Sequence, residues 1–336
     1  MGVPLAPERR GASGAIAAAG LLRTPLVESP SLSEEVDCEV RLKLECQQIT
    51  GSFKARGAVA AVAGVRRSET IVTASAGNHG IGIAFACASL GRHAEILVPA
   101  DTDEAKLGAL RRFGPGIRVE LVDGDYDDTE VAARQAAARP GARFISSYND
   151  PMVVAGQSTV GTEVLSQWPE TEAIVVPVGG GGLLSGIALA CAGSDRDVAA
   201  WGVEPEWSPA MATSLRSDAI TRIEERHVSQ AQGLVGNLDT DTITFPLVRD
   251  HAAGVLIAGE EQILTATARV YADHALVVEP SGGAALCGLA AAVAAGARRI
   301  VCVLTGSNVV AAAHFAIISA RPPGAVPASL AAGNAE

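Results

Sequence analysis

A lone lysine among small residues is the first feature of this 336-residue chain that suggests chemistry. It lies in Thr50-Gly51-Ser52-Phe53-Lys54-Ala55-Arg56-Gly57, just before an Ala-rich helical stretch at 55–63. Lysine normally keeps its ammonium in water, and burial lowers its pKa toward a nucleophilic amine. The chemistry on offer is Schiff-base formation with a carbonyl compound. The alternative is a stem lying along the surface with its charged head exposed.

Three further stretches follow candidate strands. Ser75-Ala76-Gly77-Asn78-His79-Gly80 lies between an apolar run at 71–74 and an apolar helix at 81–90, so several backbone N–H groups are placed where a carboxylate could sit. An ordinary strand-to-helix turn explains its glycines but not the clustering of Ser, Asn and His. Gly179, Gly180, Gly181 and Gly182, then Leu183, follow the run at 173–178 and precede a helix at 183–192. Four consecutive glycines let backbone approach an anion, and the helix start adds positive potential. The run lacks the Gly-Lys-Ser/Thr of a nucleotide loop and the G-x-G-x-x-G dinucleotide pattern, so the phosphate it suits belongs to neither ATP nor NAD. Leu304-Thr305-Gly306-Ser307-Asn308 ends the run at 299–304, where ligands of open α/β sheets collect. A hydroxyl there could meet a ring nitrogen, or the loop could merely close the strand.

These stretches need a scaffold, and the composition supplies one. The chain is 48% hydrophobic and only 19% charged, below the roughly 25% usual for soluble domains, which supports a large core. Candidate strands at 71–74, 95–98, 118–122, 144–146, 173–178, 198–203, 275–278 and 299–304 alternate with helical stretches, the pattern of an α/β fold. Their continuous apolar character indicates a parallel sheet covered on both faces. Asn149-Asp150-Pro151 reads as a helix start, with capping residues ahead of a proline. The Ala/Gly-rich run 282–297 is shorter than the roughly 18 residues a membrane span needs and reads as a buried helix. A net charge of −11 speaks against a nucleic-acid partner. Six cysteines without a C-x-x-C pair suggest free thiols in a reducing cytoplasm. The N-terminal stretch lacks an export-signal core and a myristoylation pattern, so it is expected to be mature protein.

Taken in order, Ser-Phe-Lys-Ala-Arg-Gly, Ser-Ala-Gly-Asn-His-Gly, Val-Pro-Val-Gly-Gly-Gly-Gly-Leu, Glu279-Pro280-Ser281-Gly282-Gly283 and Leu-Thr-Gly-Ser-Asn resemble the fold-type II pyridoxal-phosphate enzymes, in the threonine/serine dehydratase (threonine ammonia-lyase) and serine racemase branch. The resemblance spans roughly residues 20 to 320. It implies two open, doubly wound, mainly parallel-sheet domains of the tryptophan synthase β-like kind. Residues 1–69 with 149–336 would form a large pyridoxal-phosphate-binding domain, and 70–148 a small mobile one. Lys54 would carry the Schiff base and then take the Cα proton. Phe53 would lie against the cofactor ring, Asn78 would bond its 3-hydroxyl oxygen, and Gly179 to Leu183 would hold its phosphate. Thr305 would face the pyridine nitrogen, with Ser307 the weaker substitute. Ser75, Asn78, His79 and Gln157 would receive the substrate carboxylate, His79 as a contact more than a catalyst.

The implied reaction is α,β-elimination on a β-hydroxy-L-amino acid such as threonine, serine or a bulkier β-substituted serine, giving a 2-oxo acid and ammonia. The cofactor phosphate is the nearest donor for the departing hydroxyl, and a homodimer is expected. Departures from relatives sharpen this reading. Serine racemases carry a proton-donating serine where this chain has Ala76, which disfavours a racemase. They also place a Glu and an Asp six residues apart for a divalent cation, whereas Glu204 is followed at that spacing by Ala210, so no metal is expected. No regulatory domain of the biosynthetic threonine dehydratases, and hence no isoleucine feedback, is expected. Gly236, within Gln232-Gly233-Leu234-Val235-Gly236-Asn237, is small where serine-handling relatives carry a hydroxyl and suggests a roomier pocket. A racemase, a cysteine synthase and a catalytically silent pyridoxal-phosphate-binding protein are the rival readings.

Overall fold

A computed structural model of the chain describes residues 6–224 and 227–321. Ten strands occur among the described residues: β1 (Leu26–Glu28), β2 (Glu39–Lys43), β3 (Thr70–Ala74), β4 (Ala94–Pro99), β5 (Ile117–Val122), β6 (Ala142–Phe144), β7 (Ala173–Pro177), β8 (Ala199–Pro205), β9 (Gly254–Ala258) and β10 (Arg299–Val303). The chain packs into two compact units. One comprises residues up to Leu22 with Phe53–Thr159, the other Arg23–Ser52 with the residues from Val160 onward. The former contains the segment 70–148 together with the helix Lys54–Gly64.

In the first unit four parallel strands lie in the order β5-β4-β3-β6. Alternate side chains enter opposite layers, as strand geometry requires. Ile71 packs with Ile83 and Ala86 of the helix Asn78–Leu90, while its neighbour Val72 packs with Ala133 of the helix Tyr126–Ala137. Each fully buried Val or Ile side chain contributes about 1.5–3 kcal/mol. The chain leaves β3 toward β4 and β5 and then returns to β3's other side as β6. Their carboxyl ends therefore flank a switch point, where an open sheet forms a crevice.

The second unit holds six strands in the order β1-β2-β10-β7-β8-β9, all parallel except the β1/β2 pair. All five residues of β7 are buried, as its unbroken apolar run anticipates. β10 and β7 are parallel neighbours at the sheet centre, so the loops leaving them emerge from the same edge.

The α/β class and parallel sheets agree with the sequence, and three details are corrected. Residues 275–278 form no strand: Ala275 adopts a left-handed cap (φ 53°) after the helix Glu260–His274, and Glu279 N–H then bonds Gly306 O. The strand in this part of the chain is instead β9, whose short Gly-Val-Leu-Ile-Ala run pairs with the edge of β8. The run 282–297 is largely buried as far as Val293 but exposed at 294–296, and it is no single α-helix. It winds as Pro280–Gly283, a 3₁₀ turn Ala284–Gly288 and Leu289–Ala294, with Gly282, Gly283 and Gly288 packed where an added Cβ would lie 2.5–2.7 Å from a neighbouring atom. The cap at Asp150 is present, its Oδ1 accepting from Met152 N and Val153 N.

None of the six cysteines forms a disulfide, and burial pushes the Cys46, Cys87 and Cys302 thiols up to about 12, so these three act as small hydrophobes. Among the described residues no helix is long and apolar enough to cross a membrane.

The lysine helix is fixed by an unusually close crossing. A Cβ at Gly156 would lie 2.5 Å from Arg56 O and 2.6 Å from Gly57 Cα. Arg56 itself is fully buried, donating to Thr159 Oγ1 (3.2 Å) and Leu22 O (3.3 Å). Gly156→Ala is expected to lower unfolding stability by roughly 1–3 kcal/mol. Gly14→Ala, in the open helix Ala6–Ala18 with nothing within 4 Å of the added Cβ, should raise it by up to about 1 kcal/mol. Urea titration of the two variants checks the contrast.

Candidate active site

Lys54 opens its helix at the first unit's switch point. Its Nζ donates to Ser147 O at 3.1 Å, just past the carboxyl end of β6, and lies 5.3 Å from the centroid of the Phe53 ring. The chain has three lysines, and their surroundings separate them. Lys43 is fully buried and has an acceptor for each proton: Thr24 O (2.8 Å), Glu163 Oε2 (2.7 Å) and Gln167 Oε1 (2.9 Å). Lys106 is an exposed partner of Asp103. Lys54 is half-buried at a crevice, the setting an amine needs to condense with a small aldehyde.

The loop after β3 brings Ser75, Asn78 and His79 to the same end of that sheet. His79 is buried, and its Nε2 lies 3.3 Å from Ile145 O, the carbonyl that also accepts from Thr73 Oγ1 at 2.9 Å. Burial, reinforced by the Lys54 charge, drives His79 down to about 3, so the ring is neutral. Bonding a carbonyl makes Nε2 the protonated nitrogen, and Nδ1 is then a buried lone pair with no partner among the described residues. With its N–H on Ile145 O, the neutral ring has no second N–H to offer a carboxylate. Its visible task is to hold Ile145 O, two residues before the carbonyl on which Lys54 rests. Gln157 is also buried, and neither its Oε1 nor its Nε2 has a partner among the described residues. An unsatisfied buried amide costs about 1–3 kcal/mol, which a ligand bearing both donor and acceptor could offset.

In the second unit the glycine run leaves β7 and enters the helix Gly182–Ala192. Gly181 caps that helix with φ +83°, and an added Cβ would lie 2.6 Å from Met211 Cε and 3.2 Å from Thr244 Oγ1. The first N–H groups of a helix lack intrahelical acceptors, and glycine brings no side chain to satisfy them. Thr244 Oγ1 donates to Gly180 O at 2.7 Å and steadies the turn. Beyond β10, Thr305 is buried and its hydroxyl donates to Ser281 O at 3.3 Å. Ser281 Oγ accepts from Gly233 N, which links this loop to the turn Gln232–Leu234. Ser307 is engaged elsewhere, with Cys46 O. Gly236 has φ +130° and open space where a side chain would stand.

Taken unit by unit, the half-buried Lys54 amine of the first suits an aldehyde, and in the second the strained turn at Gly181 and a helix start without a side-chain cap suit an anion such as a phosphate. A divalent cation at Glu204 does not fit. Both oxygens of that buried carboxylate accept backbone N–H groups, from Met211 and Ala212, and Ala210 brings only a methyl. Burial pushes the Glu204 carboxyl up to about 7, opposed by those two N–H groups.

A family model described as pyridoxal-phosphate dependent enzyme matches residues 18–306, and the chain belongs to that family. Its cofactor is pyridoxal phosphate. Within the family, it is similar to the L-threonine ammonia-lyases of Thermotoga maritima and Geobacter sulfurreducens, at 34% and 35% identity over 291 residues. Those alignments cover 85% of this chain and 71% of each relative. Among solved structures, threonine deaminase isoform 2 from Solanum lycopersicum matches with a TM-score of 0.86 at 28% identity, covering 95% of this chain and 89% of that one. Maize serine racemase gives 0.83 at 29%, covering 94% and 98%. The resemblance carried by the five motifs is borne out.

The signals missed in the sequence are tertiary: Met211 and Thr244 behind the glycine turn, and the carbonyls at 145 and 147. Gly181→Ala should weaken pyridoxal-phosphate binding by roughly tenfold or more, because it combines a strained φ with a clash. Absorbance titration of the apoprotein measures this. His79 adds a pH dependence. Its pKa is lower folded than unfolded, so the unfolded chain binds the extra proton between about pH 6.5 and about 3. Stability should therefore fall as pH drops through that window, by at most about 1.4 kcal/mol per pH unit from this group. Urea midpoints of His79→Gln should show a flatter profile than the wild type.

Proposed function

We propose that the protein is a pyridoxal-phosphate-dependent dehydratase (ammonia-lyase) acting on β-hydroxy-L-amino acids, threonine first among them. Bound pyridoxal phosphate supplies an electron sink for the substrate's Cα. Lys54 Nζ holds the cofactor aldehyde before substrate arrives and afterwards takes the Cα proton. Phe53 lies against the ring, and Asn78 holds its 3-hydroxyl oxygen. Thr305 meets the ring nitrogen as a hydroxyl, turning its proton from Ser281 O to that nitrogen, and unlike a carboxylate it does not keep the nitrogen protonated. Gly179, Gly180, Gly181, Gly182 and Leu183 receive the phosphate on backbone N–H groups. Ser75, Asn78 and Gln157 orient the substrate carboxylate, with His79 as the brace behind Lys54's resting carbonyl. The β-hydroxyl leaves as water, and hydrolysis of the product yields a 2-oxo acid and ammonia.

The observation that carries this reading is Lys54 itself: of the three lysines it alone has a half-buried amine seated at a switch point. The threonine ammonia-lyases to which the chain is similar support the substrate class. Ala76, without a proton to give, favours elimination over racemisation. Gly236, which brings no side chain, favours a pocket that takes threonine or bulkier β-hydroxy substrates. The same reading makes residues 70–148 a body that moves to exclude water during turnover. It makes the protein a cytoplasmic homodimer, supported by cysteines that form no disulfide and by apolar side chains such as Phe315, 67% exposed on the helix Ala311–Ser319.

A coupled assay for 2-oxo acid across serine, threonine and a β-aryl serine tests the reaction, with chiral analysis of residual substrate alongside. Threonine should be consumed without enantiomer exchange, and Lys54→Ala should lose about 10²–10⁴-fold or more in kcat. Exchange without oxo acid would mean a racemase. Cofactor absorbance without either product would mean a silent binder, and a clear preference for serine would remove the roomier pocket.

A further inference from the structure

Glu204, near the carboxyl end of β8, is 1% exposed, and no step of the proposed reaction uses it. Its carboxylate accepts from two successive backbone groups, Met211 N at 2.9 Å and Ala212 N at 2.8 Å. Both belong to the first turn of the helix Ala210–Ser217, whose N–H groups have no intrahelical acceptors. The preceding residue, Pro209, contributes no capping side chain. The carboxylate therefore caps the helix from outside it, and the negative charge suits the helix start.

The capped turn carries Met211, which is fully buried. Its Cε occupies the space a side chain at position 181 would need, against the residue whose left-handed φ turns the chain into the helix Gly182–Ala192. A thioether is soft and adaptable, so it defines a wall only when its backbone is fixed. Thr244 braces the same turn at Gly180 O, but it acts on a carbonyl one residue earlier. Glu204, the helix Ala210–Ser217, Met211 and Gly181 thus form one continuous line of contact.

We propose that Glu204 is a positioning residue for the anion-binding turn at 179–182: by capping the helix Ala210–Ser217 it seats Met211 behind Gly181, and it does so without a divalent cation. This rests on the reading that the turn receives the cofactor phosphate. Both carboxylate oxygens are engaged by N–H donors, so a glutamine there would set an amide N–H against one of them and loosen the cap. The helix start would then shift, and the wall behind Gly181 with it.

The test compares binding of pyridoxal phosphate and of pyridoxal, which lacks the phosphate, to the full-length apoprotein. Absorbance titrations at pH 8, where the carboxylate is ionised, are run on the wild type, E204Q and M211A. Phosphorus NMR of the bound cofactor is recorded on the same samples. E204Q and M211A should each weaken pyridoxal phosphate by about tenfold while leaving pyridoxal little changed, and should broaden or shift the phosphorus signal. Magnesium or EDTA should leave wild-type affinity unchanged. M211A reaches the turn without touching the carboxylate, so a folding defect in E204Q does not decide the matter. Equal weakening of both vitamers, unchanged affinity in M211A, or an EDTA-sensitive wild type would overturn the proposal. A wild type that binds the two vitamers equally well would overturn the phosphate assignment itself, a separate failure visible before any variant is made.

Discussion

A half-buried amine held against a backbone carbonyl, Lys54 Nζ on Ser147 O, is the contact on which the functional geometry depends. Two independent features set its position. The start of the helix Lys54–Gly64 is fixed by the close crossing at Gly57 and Gly156 and by the buried Arg56 guanidinium. The carbonyl side is fixed by His79 and Thr73, which both bond Ile145 O, so the strand end cannot swing. A neutral imidazole suits this place, since a second positive charge beside Lys54 would repel it.

Each of the two units contains the same physical device. In each, a central parallel strand ends in a glycine-containing turn that opens an apolar helix, β3 into Asn78–Leu90 and β7 into Gly182–Ala192. The first turn carries Ser, Asn and His, side chains that discriminate among polar groups. The second carries almost only backbone, which suits a phosphate that needs N–H groups at close range. Parallel strands covered on both faces make such turns rigid, because the residues before them are buried and cannot slip in register.

The fold class, most of the strands and the four chemical stretches were legible in the sequence because each rests on local pattern. The apolar run of β7 reads as a covered strand, and Asn149-Asp150-Pro151 reads as a cap. Elements whose definition is tertiary were not legible. β1 is only three residues long, β2 carries charged residues at alternate positions, and β9 looked no more strand-like than 275–278 until the edge of β8 was there to pair with it. Lys54 stood out among small residues, but nothing local showed that Lys43 would be sealed by three acceptors. Glu204 was legible only as a departure from a metal-binding spacing. Its use as a cap depends on a loop that returns a helix start to the strand end.

The rarity of lysine has a consequence for life beside a reactive vitamer. Free aldehydes form adducts with whatever accessible primary amines a polypeptide displays, and basic residues in this chain are nearly all arginine. Besides Lys54, the described portion shows a passing aldehyde one walled-off lysine amine and one on the surface, Lys43 and Lys106. Guanidinium groups keep solubility and ion pairing without competing for the carbonyl. Such a surface can be loaded from excess vitamer with little stray adduct formation, so that the colour of the preparation reports cleft occupancy.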